Sequence, residues 1–327
     1  MTNGFCENVT RILTLCPNEY IISISNIGGS VMAKGLPDSK KYIRERQAPM
    51  RFGADGKFRI LHLTDIHEVD PEMDDEDRRI PEKKSENTLK LIRRCIELAR
   101  PDLVVFGGDN ISGYWQEFTY EYMYKTIKKI VAPIAEKNIP LAIVFGNHDA
   151  EAQPQLPFLA KENQICIYAE YENFRSTMND EDVSGCANCS LPVLSSDGSR
   201  TAWNIWCIDS GDYVRDGDFN IIKDAGYGYV KRDQIEWYER RAAELKAQNG
   251  GKVVPALLFQ HIPVIQEYDA LKKDPNGEFS LGARRYSVPD GALLDGVPPA
   301  RRSKTAKNLK AGRKRATSSP PSSGMTI

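Results

Sequence analysis

The sequence predicts an α/β domain in which short buried strands alternate with helices, and three observations lead to this prediction. Short apolar segments are followed by longer segments that have apolar residues three and four positions apart. Each short segment is followed within two residues by Gly, Asp, Asn or His. The order of strand, helix and strand is typical of a parallel sheet. Ligands of such sheets bind at the carboxyl ends of the strands, so we expect the functional site there.

The first strand is predicted within 58–67, FRILHLTDIH, as a short strand largely buried on both faces. Asp65 and His67 lie at its carboxyl end. On an extended backbone, residues two apart project to the same side with Cα atoms about 6–7 Å apart, so one cation could bridge them. Taken alone, the pair is also explained by a turn cap and a surface histidine.

The other strands share a run of apolar residues and are predicted at 103–106, 141–145, 202–209 and 253–259. The helices share apolar residues at helical spacing and are predicted at 87–100, 120–137 and 231–248. The first of these helices ends before Pro101, as helices usually do.

Side chains that bind metal ions follow four of these strands. They are Asp65, His67, Asp109, Asn147, His148 and His261. Carboxylate, amide and imidazole donors favour divalent cations such as Mn, Fe, Zn or Mg over a thiolate zinc site. With one Asp as a bridge, the set suits two cations about 3.5–4 Å apart. A divalent cation can lower the pKa of a bound water from 15.7 to about 7, which makes that water the expected nucleophile.

Four motifs, in this order and spacing, resemble those of the calcineurin-like metallophosphoesterases: DIH at 65–67, GGDN at 107–110, GNHD at 146–149 and QH at 260–261. Within that superfamily, 204–213 and 234–237 look like the intracellular purple-acid-phosphatase-like branch. The resemblance covers about residues 57–295. It implies a layered metallophosphoesterase fold, with two central β-sheets flanked by helices.

The resemblance also implies a dinuclear metal centre that hydrolyses phosphoric esters with a metal-activated water. The implied ligands are Asp65 and His67 for the first ion, Asp109 as the bridge, and Asn147 and His261 for the second ion. The ions would be Mn, Fe or Zn. Tyr114 is not at the spacing of the tyrosine ligand of true purple acid phosphatases, so we do not expect it to bind metal.

Substrate contacts are implied as well. His148 would stand over the phosphoryl group as proton donor or charge stabiliser, with Asp149 orienting it. Asn110 and His148 would bind the substrate, which would be a phosphorylated small molecule or a phosphoprotein.

Two other functions stay open at this stage. One is a catalytically inactive module that binds phosphate or a partner, and the other is a phosphodiesterase that acts on nucleotides. Loops at 114–119 and 213–229 would separate these substrates. In those loops Trp115, Tyr213 and Tyr229 fit ring stacking on a substrate as well as buried packing.

The end of the chain departs from the family pattern. The family closes its site with Gly-His-x-His, one ligand for each metal, whereas His261 is the last histidine here. We therefore expect a C-terminally incomplete fold, and the activity of this chain stays open. When the codons of residues 316–327 are read in a shifted frame, permitted codon choices give the sequence DVIAAVFGHDH. We therefore hypothesise a frame change near 296–301, which the nucleotide sequence of the gene tests.

The predicted organisation has three parts: an N-terminal extension at 1–56, the metallophosphoesterase domain at 57–296, and a basic, Ser/Pro-rich, disordered tail at 297–327. The tail has eight Lys or Arg and no acid, so the alternative to a frame change is an arm for nucleic acid or an acidic partner. The whole chain has net charge −1, which argues against a nucleic-acid binder.

Composition also predicts the compartment. Seven cysteines, an odd and widely spaced set, indicate reduced thiols and a cytoplasmic protein. Cys186 and Cys189 form a C-x-x-C without a second pair, so a zinc site there is the weaker reading. An apolar stretch of 18 residues does not occur, so we expect no association with a membrane.

Overall fold

The computed structural model describes residues 49–69, 82–114, 119–179, 182–216, 220–222 and 226–264. The predicted tail, most of the predicted N-terminal extension and Trp115 lie outside these residues. In chain order the elements are β1 (Met50–Arg51), β2 (Ile60–Leu63), α1 (Glu82–Ala99), β3 (Leu103–Gly107), α2 (Tyr120–Ala135), β4 (Leu141–Val144), a short 3-10 helix (Pro157–Leu159), α3 (Lys161–Ala169), β5 (Cys189–Leu194), β6 (Thr201–Cys207), α4 (Arg232–Gln248) and β7 (Ala256–Phe259).

Two sheets form the centre of the fold. The first has the order β2-β3-β4 and is parallel throughout. The second has the order β1-β5-β6-β7, in which β5 and β6 are antiparallel and the other pairs are parallel. β1 lies before residue 57, so the sheet begins earlier than the predicted domain.

Alternate residues of the buried strands β3 and β4 point to different layers. Leu103 and Val105 pack with residues of the second sheet, whereas Val104 and Phe106 pack with the helices. Helices α1, α2 and α3 contribute to that outer core, and α4 covers the second sheet, with Trp237 packed edge-on against Trp206. The layers are helix, sheet, sheet and helix, which confirms the predicted fold class.

One local expectation needs correction. β2 is half-buried rather than largely buried on both faces, because within the described residues it is an edge strand that pairs only with β3. In α1 the core receives Ile92 and Ile96, while Leu91 and Leu98 are exposed. Among the described residues, none of the helices combines the length and the apolar character needed to cross a bilayer.

Candidate metal centre

The register of the strands brings the predicted ligands to one edge of the sheets. β2 pairs in register with β3, and β3 pairs with β4, so their following loops leave side by side. Asp65 N donates to the Gly108 carbonyl at 3.0 Å, and His67 N donates to the Asp109 carbonyl at 2.9 Å. The loop after β7 joins them, since His261 Nδ1 lies 2.9 Å from the Gly107 carbonyl oxygen.

Asp65, His67 and Asp109 form a compact group of donor atoms. One ligand atom from each lies within 4.8 Å of the others. His67 Nε2 is 3.9 Å from Asp65 Oδ1 and 3.5 Å from Asp109 Oδ2. Two carboxylates and an imidazole at these distances fit one divalent cation.

Asp109 lies between two histidines, as expected of a bridging ligand. Its Oδ2 is 3.5 Å from His67 Nε2 and 3.2 Å from His261 Nε2. Its Oδ1 accepts a 2.8 Å hydrogen bond from His148 N, which fixes the carboxylate. Only 3% of Asp109 is exposed. A carboxylate that is buried, fixed and shared by two imidazoles fits a two-cation centre.

The backbone at three ligands is left-handed. Asp65, His67 and Asp109 have φ of 55°, 48° and 51°. The extended geometry predicted for Asp65 and His67 is therefore wrong, because the strand ends at Leu63 and two left-handed residues turn the side chains together. Asp, Asn and His are the side-chain-bearing residues most enriched in this region of φ, and such outliers cluster at functional sites.

Two glycines of the motifs allow the loops that carry the predicted ligands to lie close together. Gly108 has φ of 97°, and a Cβ there would lie 2.5 Å from His261 Nδ1. A Cβ on Gly146 would lie 2.2 Å from Asp109 Oδ1. Any other residue at either position would displace a predicted ligand.

The histidines differ in protonation. Burial lowers the pKa of His67, so its imidazole is neutral at pH 7. Burial also acts to lower the pKa of His261, but the hydrogen bond to Asp109 and the negative charge of Asp109 outweigh it and raise that pKa to about 9. A carbonyl oxygen only accepts, so His261 Nδ1 donates to Gly107 and Nε2 faces Asp109.

Cation binding is therefore expected to weaken as the pH falls. A cation at His261 Nε2 must displace a proton, so the apparent affinity for Mn²⁺ should rise about tenfold per pH unit below about pH 9. Calorimetry at pH 6.0, 6.75 and 7.5, in buffers of different ionisation enthalpy, would detect the released proton. An affinity that does not change with pH would contradict the assignment of His261 as a ligand.

The raised pKa of His261 also predicts how the stability of the metal-free protein changes with pH. The folded-state pKa of His261 is raised, so its ion pair with Asp109 stabilises the metal-free protein fully below about pH 6.5. This contribution is lost as the pH rises through about 9.

Asn147 lies at the same edge and is almost fully buried. Its Nδ2 donates a 2.7 Å hydrogen bond to the Tyr213 hydroxyl oxygen. In this orientation the amide oxygen is left as the donor atom for a second cation. Sequence reasoning did not connect Tyr213 to Asn147, because the two residues are 66 positions apart.

His148 contacts Glu151 instead of the residue expected to orient it. His148 Nδ1 and Glu151 Oε2 form a short hydrogen bond. This contact raises the pKa of His148, although burial acts in the opposite direction. The imidazole ring is centred 5.2 Å from that of His67. Glu151 is two residues beyond the GNHD motif. Its spacing of three residues from His148 was the feature of the sequence that could have identified it as the partner of His148.

Asp149 organises the backbone and does not orient His148. Its Oδ1 accepts from Asn110 N at 2.8 Å and from Ile111 N at 3.0 Å, and its Oδ2 accepts from Gly146 N at 2.7 Å. The carboxyl group thus ties the loop after β3 to the loop after β4. Complete burial, followed by the charge of Asp109, raises the pKa of Asp149 to about 6.

The substrate contact expected of Asn110 also needs correction. Asn110 is fully buried, and its Nδ2 donates to the Val144 carbonyl at 3.1 Å. Within the part of the chain that the structure describes, its Oδ1 has no hydrogen-bond partner. Because the residue is fully buried, a substrate does not reach its side chain in this structure. Asn110 thus supports the loop structurally.

The weaker zinc reading of the C-x-x-C finds no support among the described residues. Cys186 and Cys189 are both buried. The grouping of possible ligands among those residues contains neither of them.

Comparisons with known proteins identify the family of this chain. The calcineurin-like phosphoesterase family model matches residues 58–286. The chain is 30% identical over 268 residues to probable inactive purple acid phosphatase 28 of Arabidopsis thaliana, covering 76% of this chain and 64% of that protein. It is 27% identical over 233 residues to probable inactive purple acid phosphatase 29 of the same plant, covering 66% and 56%.

A yeast protein is also similar. Phosphatase DCR2 of Saccharomyces cerevisiae is 26% identical over 231 residues, covering 68% of this chain and 38% of DCR2. The chain thus spans less than two thirds of the length of each of these relatives. The family match covers more than half of the chain and includes every predicted ligand. Together with the layered fold and the strand-end cluster, this match establishes that the chain belongs to the calcineurin-like phosphoesterase family.

Proposed function

We propose that the chain holds two divalent cations at the strand ends and hydrolyses phosphoric monoesters there. The observation that carries this proposal is the position of Asp109, whose Oδ2 lies 3.5 Å from His67 Nε2 and 3.2 Å from His261 Nε2. A carboxylate shared between two nitrogen donors suits a centre that binds two cations. Asp65 on one side and Asn147 on the other would complete the ligand set.

The donor set supports Mn, Fe or Zn as the cations, since it combines carboxylate, amide and imidazole groups. Asp65, His67 and Asp109 would hold one ion, and Asp109, Asn147 and His261 the other. When bound, the ions would supply Lewis acidity and lower the pKa of a water that attacks phosphorus.

His148 would supply the proton for the leaving oxygen. Its backbone N–H is held by Asp109, and its Nδ1 is held by Glu151, which leaves Nε2 for the substrate. The contact with Glu151 raises the pKa of His148 and so favours the protonated, donating form. Glu151 is a positioning residue in this scheme.

A second candidate function is a catalytically inactive module that binds phosphate. The names of two relatives, both called probable inactive purple acid phosphatases, favour it. The small number of ligands also favours an inactive module. The five proposed ligands supply only three donors to each ion, because Asp109 is counted for both. Such a site would bind cations more weakly than a fully ligated one.

The substrate and the compartment belong to the proposal as well. We propose a phosphorylated small molecule or a phosphoprotein as substrate, and the cytoplasm as location. An odd number of widely spaced cysteines, seven in the chain, supports a reducing compartment.

Three measurements on the full chain test this function: Mn²⁺ binding by calorimetry, binding of inorganic phosphate, and Mn²⁺-dependent hydrolysis of phenyl phosphate and of diphenyl phosphate. We expect hydrolysis of phenyl phosphate that chelation abolishes. Phosphate binding without turnover would instead identify the inactive module. Faster hydrolysis of the diester would identify a phosphodiesterase, and failure to bind Mn²⁺ would contradict the metal centre.

A further inference from the structure

Two tyrosines lie beside the His148 imidazole, and a third tyrosine stacks on one of them. We call these three residues the tyrosine surface (Tyr114, Tyr213 and Tyr227). Tyr114 meets the imidazole edge-on, with ring centroids 5.2 Å apart, and Tyr213 does so at 6.1 Å. Tyr227 stacks on Tyr213, with centroids 5.4 Å apart and 27° between the ring planes. Aromatic rings from two segments therefore border the proposed proton donor.

Separate parts of the chain supply these rings. Tyr114 lies in the loop after β3 and is 41% exposed. Tyr213 and Tyr227 are half-buried in the segment between β6 and α4, where an antiparallel bridge joins them. A second antiparallel bridge, between Arg215 and Ile221, gives this segment a folded shape. Two loops thus converge on His148 with aromatic side chains.

The Tyr213 hydroxyl connects this surface to the proposed ligands. It accepts a hydrogen bond from Asn147 Nδ2 at 2.7 Å. Burial raises the pKa of Tyr213, so the phenol keeps its proton at neutral pH. Tyr229, the other tyrosine considered for stacking, is engaged elsewhere, with Lys231 Nζ 3.5 Å from its ring centroid.

We propose that the tyrosine surface binds the aromatic leaving group of an aryl phosphate, which makes aryl phosphate monoesters the preferred substrate class. This inference rests on the proposed function. A leaving oxygen that reaches His148 carries its substituent to the same place. A ring attached to that oxygen would meet tyrosine rings whose centroids lie 5.2 and 6.1 Å from the imidazole.

The reaction balances as a hydrolysis. The bond between phosphorus and the aryl oxygen breaks, and its electron pair stays on that oxygen. The aryl oxygen takes a proton from His148, while a new bond forms between phosphorus and the oxygen of water. The products are a phenol and inorganic phosphate, and one proton of the water restores His148.

Binding of two inert analogues tests the inference without turnover. We expect Mn²⁺-loaded protein to bind phenylphosphonate more tightly than methylphosphonate in calorimetry. Tyr114→Leu and Tyr227→Leu should reduce this preference about three- to tenfold each, the range for an aromatic contact beyond buried area. Tyr114→Phe and Tyr227→Phe keep the rings and should keep the preference.

Tyr124→Leu is the matched control. Tyr124 is a half-buried tyrosine of α2 whose hydroxyl donates to Glu170 Oε2 at 2.8 Å, away from the strand ends. It should leave the phenyl preference unchanged. Equal binding of the two phosphonates, or a preference that survives Tyr114→Leu and Tyr227→Leu, would overturn the tyrosine surface alone. Failure to bind either phosphonate would overturn the proposed function as well.

Discussion

Replacing Asp109 with Asn should lower the affinity for Mn²⁺ by more than about 100-fold, the upper range for losing even an outer partner of a metal ligand. Oδ2 is the Asp109 atom that lies 3.5 Å from His67 Nε2 and 3.2 Å from His261 Nε2, so this carboxylate would help to hold both proposed ions. An amide at this position has one oxygen and no charge, and its nitrogen does not bind cations. Hydrolysis should be lost together with metal binding.

Calorimetric titration with Mn²⁺ measures this effect, and thermal unfolding checks that the variant is folded. Asp197→Asn is a suitable control, because Asp197 is an exposed turn residue whose carboxylate accepts from Ser195 and Ser199. It should bind Mn²⁺ like the unchanged protein. If Asp109→Asn binds Mn²⁺ with unchanged affinity, the site lies elsewhere.

The largest effect on stability is expected for Asp149→Ala. The carboxylate accepts three backbone hydrogen bonds, and their donors lie in a fully buried environment. Each buried donor left without a partner costs about 1–3 kcal/mol, so the hydrogen-bond loss is about 3–9 kcal/mol. The raised pKa of Asp149, about 6, means that its buried charge destabilises the folded protein by about 3 kcal/mol near pH 7. Removing the carboxylate removes this cost, which offsets part of the hydrogen-bond loss.

We therefore expect a net loss of about 3 kcal/mol in the free energy of unfolding, measured by denaturant titration of the metal-free protein. Asp102→Ala is the matched control, because Asp102 is partly exposed and accepts one backbone hydrogen bond, from Arg59 N at 2.7 Å. It should cost about 1 kcal/mol or less. A loss below about 1 kcal/mol for Asp149→Ala would contradict the role of Asp149 in joining the two loops.

The elements that sequence reasoning predicted are those with a clear apolar pattern. β3 and β4 are short apolar runs, and both are fully buried. β5 was missed because Pro192 argues against a strand. In the structure, β1 pairs with Val193 and Leu194 and not with Pro192, which lies opposite Asn204 of β6.

Helix α3 was missed for a different reason. It buries Gln164 as well as Ile165, Ile167 and Tyr168, so its buried surface includes a polar side chain and does not follow one apolar stripe. Gln164 Nε2 donates to the carbonyls of Asp149 and Leu159, both at 2.7 Å. In the sequence, a polar residue that is buried because it makes such hydrogen bonds cannot be distinguished from a residue on the surface.

The candidate site was also predictable only in part. Asp65, His67 and Asp109 were predicted because they are residue types that bind metal ions and they follow predicted strands, whose ends restrict the positions of side chains. Positions inside the loops were beyond pattern reasoning. Whether Asp149 or Glu151 meets His148 depends on the turn geometry, which the order of residues does not specify.

The left-handed backbone at Asp65, His67 and Asp109 restricts which replacements could keep a working site. A longer acid such as Glu offers the same chemistry as Asp, yet it lacks the preference of Asp for positive φ. Glycine would suit the backbone and bring no donor atom. Protein engineers who wish to alter metal selectivity here should therefore choose among Asp, Asn and His, because these residue types meet both demands.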